Sequence, residues 1–156
     1  MIRLYAAPTP DARKITVMLE ETGLAYELLR REQPPTIEDD DADLALDEPG
    51  AILIYLAERS GRLFPVERRL RYPTLRWLLH EAKDGERLFS SLDRRLREAE
   101  FLAGPYYTIA DVSAYPWVMR HADYGSSLED WPALKRWAAG IGARPAVQRG
   151  MAALKP

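Results

Sequence analysis

Tyr107-Thr108-Ile109-Ala110-Asp111-Val112 reads as the opening of a helix. Thr108 stands where a hydroxyl caps the backbone of Asp111, and Asp111 stands where a carboxylate reaches back to the Thr108 amide. Tyr107 sits just outside as a hydrophobic staple onto Val112. Asp111→Ala is therefore expected to cost on the order of 1 kcal/mol. Further along the same helix, Pro116 predicts a kink or an early end near Ser113-Ala114.

The sequence on both sides of this box is helical. Leu75, Leu78, Leu79 and Ala82 fall at helical spacing, as do Leu134, Trp137, Ala138 and Ile141, and Leu88, Leu92 and Leu96 form a third stripe. Before Pro65 the pattern changes. Arg3-Leu4-Tyr5-Ala6 is a short strand, Thr9-Pro10 starts a helix that Gly23 stops, and Ala25 to Arg31 is a second strand. Thr36-Ile37-Glu38, an Asp39-Asp40-Asp41 turn and Leu44-Ala45-Leu46 form a hairpin. A helix from about Gly50 to Arg59 then turns Ile52, Tyr55 and Leu56 inward and ends at Gly61. The domain boundary falls between Gly61 and Pro65.

Composition narrows the function classes. The chain has 156 residues, 47% hydrophobic and 29% charged, with no cysteine and a net charge of −2. Such a chain supports an ordinary globular core without crosslinks. The lack of cysteine excludes disulfides, thiolate nucleophiles and Cys-ligated metals, so any thiol chemistry must use a thiol that a ligand brings. No apolar run approaches a membrane span, and the charge balance gives no reason to bind nucleic acid. A cytoplasmic address is the expectation. His80 and His121 lie far apart, with no carboxylate spaced to join them, so no metal site is expected. Every charged residue from Glu32 to Glu48 is acidic, while Glu67 is the lone acid between Arg59 and Arg76. These stretches are solvated surfaces or complementary patches across a subunit interface.

An α/β unit followed by helices with a Thr-x-x-Asp capping box resembles a cytosolic glutathione transferase. Pro49-Gly-Ala-Ile-Leu-Ile-Tyr-Leu-Ala-Glu58 is similar to the family's third helix and Tyr107-Thr-Ile-Ala-Asp-Val112 to its capping motif. Trp131-Pro-Ala-Leu-Lys-Arg-Trp137 with Arg144-Pro-Ala-Val147 resembles its last helices. Thr9-Pro10 followed by Lys14 and Leu19-Glu20-Glu21 is most similar to the bacterial nu-class branch. The resemblance implies an α/β plus all-α protein, with a thioredoxin-like N-terminal domain over 1–62 and a helical glutathione-transferase domain over 66–156.

The implied chemistry is conjugation of glutathione to a small electrophile, or reduction of peroxides or disulfides with it, in a cytoplasmic homodimer. The alternative is a binding or assembly protein that keeps the fold without the glutathione site. The sulfur position falls to Thr9 and Asp11, where the nu-class pattern has Thr-Pro-Asn. An ionised Asp11 beside a thiolate would raise the thiol pKa. The resemblance makes Pro35 the cis-proline and Pro34 the residue that pairs with the glutathione backbone, with Thr36 beside it; Pro34 has no N–H to offer. The γ-glutamyl end falls to Glu48-Pro49, where the family has Glu-Ser. Two lost hydrogen bonds to charged groups would weaken binding by roughly a hundredfold to ten-thousandfold.

Two segments are short for the family. Only Glu32 to Pro34 separate Arg31 from Pro35, a reach of at most ~13–14 Å. Crossing the first strand needs ~10 Å, so no helix fits in that link. A second shortening lies around Lys83-Asp84-Gly85.

Overall fold

The structure, a computed structural model, describes residues 1–32, 34–80 and 85–155. Gln33 of the short link, Ala82 of the first helical stripe, and Lys83 and Asp84 of the second shortening lie outside the described residues. The elements run β1 (Ile2–Ala6), α1 (Pro10–Thr22), β2 (Tyr26–Arg30), β3 (Thr36–Asp39), β4 (Leu44–Leu46) and α2 (Pro49–Ser60). Five helices follow: α3 (Arg68–Leu78), α4 (Gly85–Leu96), α5 (Ile109–Val118), α6 (Pro132–Gly142) and α7 (Pro145–Ala153). None of them is long and apolar enough to cross a membrane.

The chain divides into two compact units, residues 1–62 with 145–156, and residues 63–144. The sequence reading assigns 145–156 to the helical domain, whereas α7 belongs with the first unit. The reason is a close approach of backbones. A Cβ on Gly150 would lie 2.4 Å from the Val17 Cα, and the Thr16 hydroxyl donates to the Gly150 carbonyl at 2.7 Å. Only glycine lets α7 seat on α1 so tightly.

The first unit holds a four-stranded sheet in the order β2-β1-β3-β4, with β1 parallel to β2 and the other pairs antiparallel. Alternation along β1 sends Ile2, Leu4 and Ala6 into a core shared with Ile15, Met18, Leu19, Ile37, Ile52 and Leu56. The other face of the sheet carries Arg3, Tyr5 and Glu38. The Arg3 guanidinium binds Glu38 at 3.3 Å and Asp40 at 2.6 Å, and the Tyr5 hydroxyl donates to Glu38 at 3.0 Å. A face built of paired charges tolerates water, so the sheet stands without the helix that the short link omits.

That link also corrects the assignment of Pro35. No cis peptide bond occurs among the described residues, so the Pro34-Pro35 bond is trans. A cis bond shortens the Cα–Cα step from ~3.8 to ~2.9 Å, and the link has to carry the chain across β1. Trans is also the isomer favoured intrinsically.

The hairpin turn is displaced as well. Asp39 ends β3 and is 1% exposed, and the turn occupies residues 40–43. Asp39 accepts from the Tyr55 hydroxyl at 2.7 Å and meets the Arg59 Nε at 3.1 Å, while Arg59 also binds Asp41 at 2.8 Å. These acids are thus partnered within the chain instead of lying free on the surface, because a carboxylate at a buried strand end requires such partners.

In the second unit the capping box forms as its spacing predicts. The Thr108 hydroxyl accepts from the start of α5, and Asp111 Oδ2 accepts from the Thr108 amide at 3.0 Å. Asp111 does more than close the box. Its Oδ1 accepts from the Leu102 amide at 3.0 Å and the Trp137 indole at 2.8 Å. Tyr107 packs beside Phe101 and beneath the Arg144 guanidinium. The early end that Pro116 allowed near Ser113-Ala114 does not occur: α5 runs through Pro116 to Val118. Tyr115, Pro116 and Val118 are all buried, and that packing outweighs the one hydrogen bond that Pro116 cannot make.

A second buried carboxylate, Asp93 of α4, accepts from the Ala133 and Leu134 amides at 2.9 and 3.1 Å and so caps α6. Leu134, Trp137, Ala138 and Ile141 are buried as their spacing predicts, but Leu79 is 69% exposed because α3 stops at Leu78. His80 stacks on Trp77, and burial holds its imidazole below the ordinary pKa. His121 Nδ1 lies 2.9 Å from the Ser126 carbonyl.

Candidate functional site

One end of the sheet gathers the residues that the sequence singles out. The register pairs Tyr5 with Thr36 and Ile37 with Leu46. The last residues of β1, the first of β3 and the last of β4 therefore lie side by side. From that edge Ala7 turns into α1, with the Thr9 amide donating to the Ala7 carbonyl at 2.8 Å. Two residues past Leu46, Glu48 begins α2. Thr9, Pro35, Thr36 and Glu48 thus share one end of the sheet, where two helix N-termini emerge. Unpaired amides and the positive dipole ends make such an end favourable to anions.

Thr9 is exposed and has the extended backbone of an N-cap, φ −112° and ψ 159°. Its Oγ1 accepts from the Ala12 amide at 3.2 Å. The hydroxyl hydrogen has no acceptor among the described residues, so it is available to a ligand atom. Pro10 fills the first helical position and needs no N–H there.

Asp11 faces a cation. Lys14, 8% exposed, places its ammonium 2.9 Å from Asp11 Oδ1. Side chains on a helix lean toward its N-terminus, which carries this ammonium back to the first turn. The like-charge problem that an aspartate poses for a thiolate is thereby offset locally. Sequence reasoning noted Lys14 as part of a resemblance and missed this role. The i,i+3 spacing from Asp11 was the available signal.

Pro35 is buried and Pro34 exposed. The Thr36 hydroxyl donates to the Pro34 carbonyl at 3.3 Å. Pro34 thus lacks a donor and has its acceptor partly engaged. Glu48 is the N-cap of α2, accepting from the Gly50 amide through Oε1 at 3.3 Å, and Pro49 is the first residue of that helix. The exposed carboxylate offsets the positive helix end and leaves a second oxygen for a ligand ammonium. The Thr9 hydroxyl and the Glu48 carboxylate are present at this end, while position 34 offers no amide and position 49 neither an amide nor a hydroxyl.

No group of three histidine, cysteine or acidic side chains able to hold a metal occurs among the described residues.

The glutathione S-transferase C-terminal domain family matches residues 78–145. The chain is 33% identical to a disulfide-bond oxidoreductase of Escherichia coli (strain K12), YfcG, covering 99% of this chain and 95% of that protein. That match runs over 207 residues of alignment against 156 in this chain, so the length that differs lies inside the chain. A glutathione transferase family member from Pseudomonas fluorescens Pf-5, solved with two glutathione bound, is 34% identical with a TM-score of 0.84, over 96% of this chain and 92% of that one. A glutathione transferase from Pseudomonas putida, solved with one glutathione disulfide per subunit, is 30% identical with a TM-score of 0.84, over 96% and 90%.

Proposed function

The chain belongs to the glutathione S-transferase family, and on that premise we propose that it uses reduced glutathione as the thiol donor in reducing disulfides. The observation that carries this reading is the exposed Thr9 hydroxyl, with its hydrogen unclaimed, at the N-terminus of α1. A thiolate placed there receives a hydrogen bond and the favourable end of the helix dipole, both of which lower its pKa. The chain has no cysteine of its own, so the nucleophile must enter with the ligand.

The reaction balances with glutathione alone as reductant. The bound thiolate attacks one sulfur of the substrate disulfide. The other sulfur leaves as a thiolate and takes the proton that glutathione lost. A second glutathione then attacks the mixed disulfide, yielding glutathione disulfide and the second substrate thiol. Thr9 orients the first thiolate, and the Glu48 carboxylate receives the γ-glutamyl ammonium. Conjugation to electrophiles would use the same activated thiolate. The Thr9-Pro10 start supports the nu-class branch and, by that resemblance, a cytoplasmic setting. Val66, Tyr72 and Leu79, exposed at 87%, 64% and 69% beside the arginines around α3, support a homodimer that covers them.

A second reading, a fold kept without the chemistry, is favoured by Pro34 and Pro49. One experiment separates the two. Turnover of a small symmetric disulfide with reduced glutathione, slowed about tenfold or more in Thr9→Ala, supports the reductase. Folded wild-type protein without glutathione affinity or turnover supports the second reading.

A further inference from the structure

We propose that Arg31 is a specificity-determining residue of the thiol site, its guanidinium taking the C-terminal carboxylate of the peptide whose thiol lies at Thr9. This rests on the reading of that end of the sheet as the place where glutathione binds. The first support is the strand order, β2-β1-β3-β4. At this one end the chain leaves β2 at Arg31, leaves β1 toward Thr9, enters β3 at Thr36 and leaves β4 toward Glu48. The Arg31 amide donates to the Ala6 carbonyl at 3.2 Å, which ties it to the turn that leads to Thr9. A peptide laid across these ends, with its ammonium on Glu48 and its thiol at Thr9, carries its far carboxylate toward Arg31. β4 and β2 lie three strand spacings apart, ~14 Å. An extended tripeptide reaches ~10–11 Å. The γ-linkage of glutathione lengthens it, and the arginine side chain covers the remainder.

The second support is charge. Glutathione brings two carboxylates and one ammonium, so a site that holds the ammonium on Glu48 still needs a cation. The cations of β1, α1 and β2 are engaged within the chain. Arg3 binds Glu38 and Asp40, Lys14 binds Asp11, and Arg13 and Arg30 donate to the Leu154 and Lys155 carbonyls. Arg31 is exposed, and its guanidinium has one partner among the described residues, the ring of Tyr5, with the guanidinium carbon 5.9 Å from the ring centroid. Such a contact steadies a guanidinium without consuming its N–H groups. Glu38, which accepts from the Tyr5 hydroxyl, is itself held by Arg3, so it does not compete for Arg31. Register sets Tyr5 beside Thr36, the residue that follows the proline pair, so the aromatic shelf adjoins the expected path of the ligand backbone. The planar fork of Arg31 then matches a carboxylate with two parallel bonds.

The test is calorimetric titration of wild type, Arg31→Gln and Arg31→Lys with two probes: reduced glutathione, and the same tripeptide with its C-terminal carboxylate amidated. Wild type should bind glutathione about fivefold more tightly than the amide, the size of a solvent-exposed ion pair. Arg31→Gln should bind glutathione about fivefold more weakly than wild type does and bind the two probes alike, while Arg31→Lys keeps part of the preference. A merely structural Arg31 would weaken both probes equally and leave the preference between them intact. A preference in Arg31→Gln as large as in wild type therefore overturns the proposal, as does wild type that binds both probes alike. Wild-type protein that is folded and binds neither probe overturns the reading beneath it, and this assignment with it.

Discussion

At the start of α5 the Thr108 side is closed: the residue is 2% exposed, and Asp111, fully buried, accepts from the Thr108 and Leu102 amides and the Trp137 indole. At the start of α1 the same residue type stands in the open. Thr9 caps one amide and keeps its hydrogen free, and the acid of its first turn, Asp11, bonds a lysine instead of the cap. Both helices use a threonine cap. In the first case the cap is sealed inside the fold, and in the second it stands where a ligand can reach it. A shift of one residue in the position of the acid, from the third helical residue to the second, separates the two arrangements.

Asp111→Ala should break the closed end. It leaves three N–H groups without an acceptor, two backbone amides and the Trp137 indole, so the expected loss is about 3–5 kcal/mol, larger than a cap alone would give. Chemical denaturation would read it, and a loss near 1 kcal/mol would mean that Asp111 serves only as a cap. Thr9→Ala should leave the open end folded but slow disulfide turnover about tenfold to a hundredfold, in the range of a lost hydrogen bond to a charged group. Steady-state kinetics with glutathione saturating would show this as a fall in kcat. Pro49→Ser restores both a hydroxyl and an amide at the start of α2 and should tighten glutathione binding about tenfold. Unchanged affinity by calorimetry would remove Glu48-Pro49 from the site. The smallest effect is on stability: Thr9→Ala should cost about 0.5–1 kcal/mol, since its cap is exposed to water that replaces it.

Much of this contrast was legible in the sequence because caps are local. Thr9-Pro10 and Thr108-x-x-Asp111 are decided within four residues, as is the Gly61 stop of α2. What escaped was what lies far along the chain. The indole that meets Asp111 comes from Trp137, and the glycine that seats α7 on α1 is Gly150. Periodicity marked Leu79 as apolar-face but not that α3 ends one residue before it. Family resemblance made Pro35 cis, although the length of the link already argued for the longer trans step. Asp39 looked like a turn residue because its partners, Tyr55 and Arg59, sit on a later helix. At the candidate site Thr9 and Glu48 were readable as N-caps. The i,i+3 spacing of Asp11 and Lys14 was readable as well, but the burial of Lys14 was not.

The central claim is that the end of the sheet bearing Thr9 and Glu48 still receives glutathione, despite the two amides lost at Pro34 and Pro49. Isothermal titration of the folded chain with reduced glutathione tests it most directly. Saturable binding in the micromolar to low-millimolar range, weakened in Glu48→Gln, is the predicted result. Absence of heat at millimolar glutathione, with the protein folded, would contradict it.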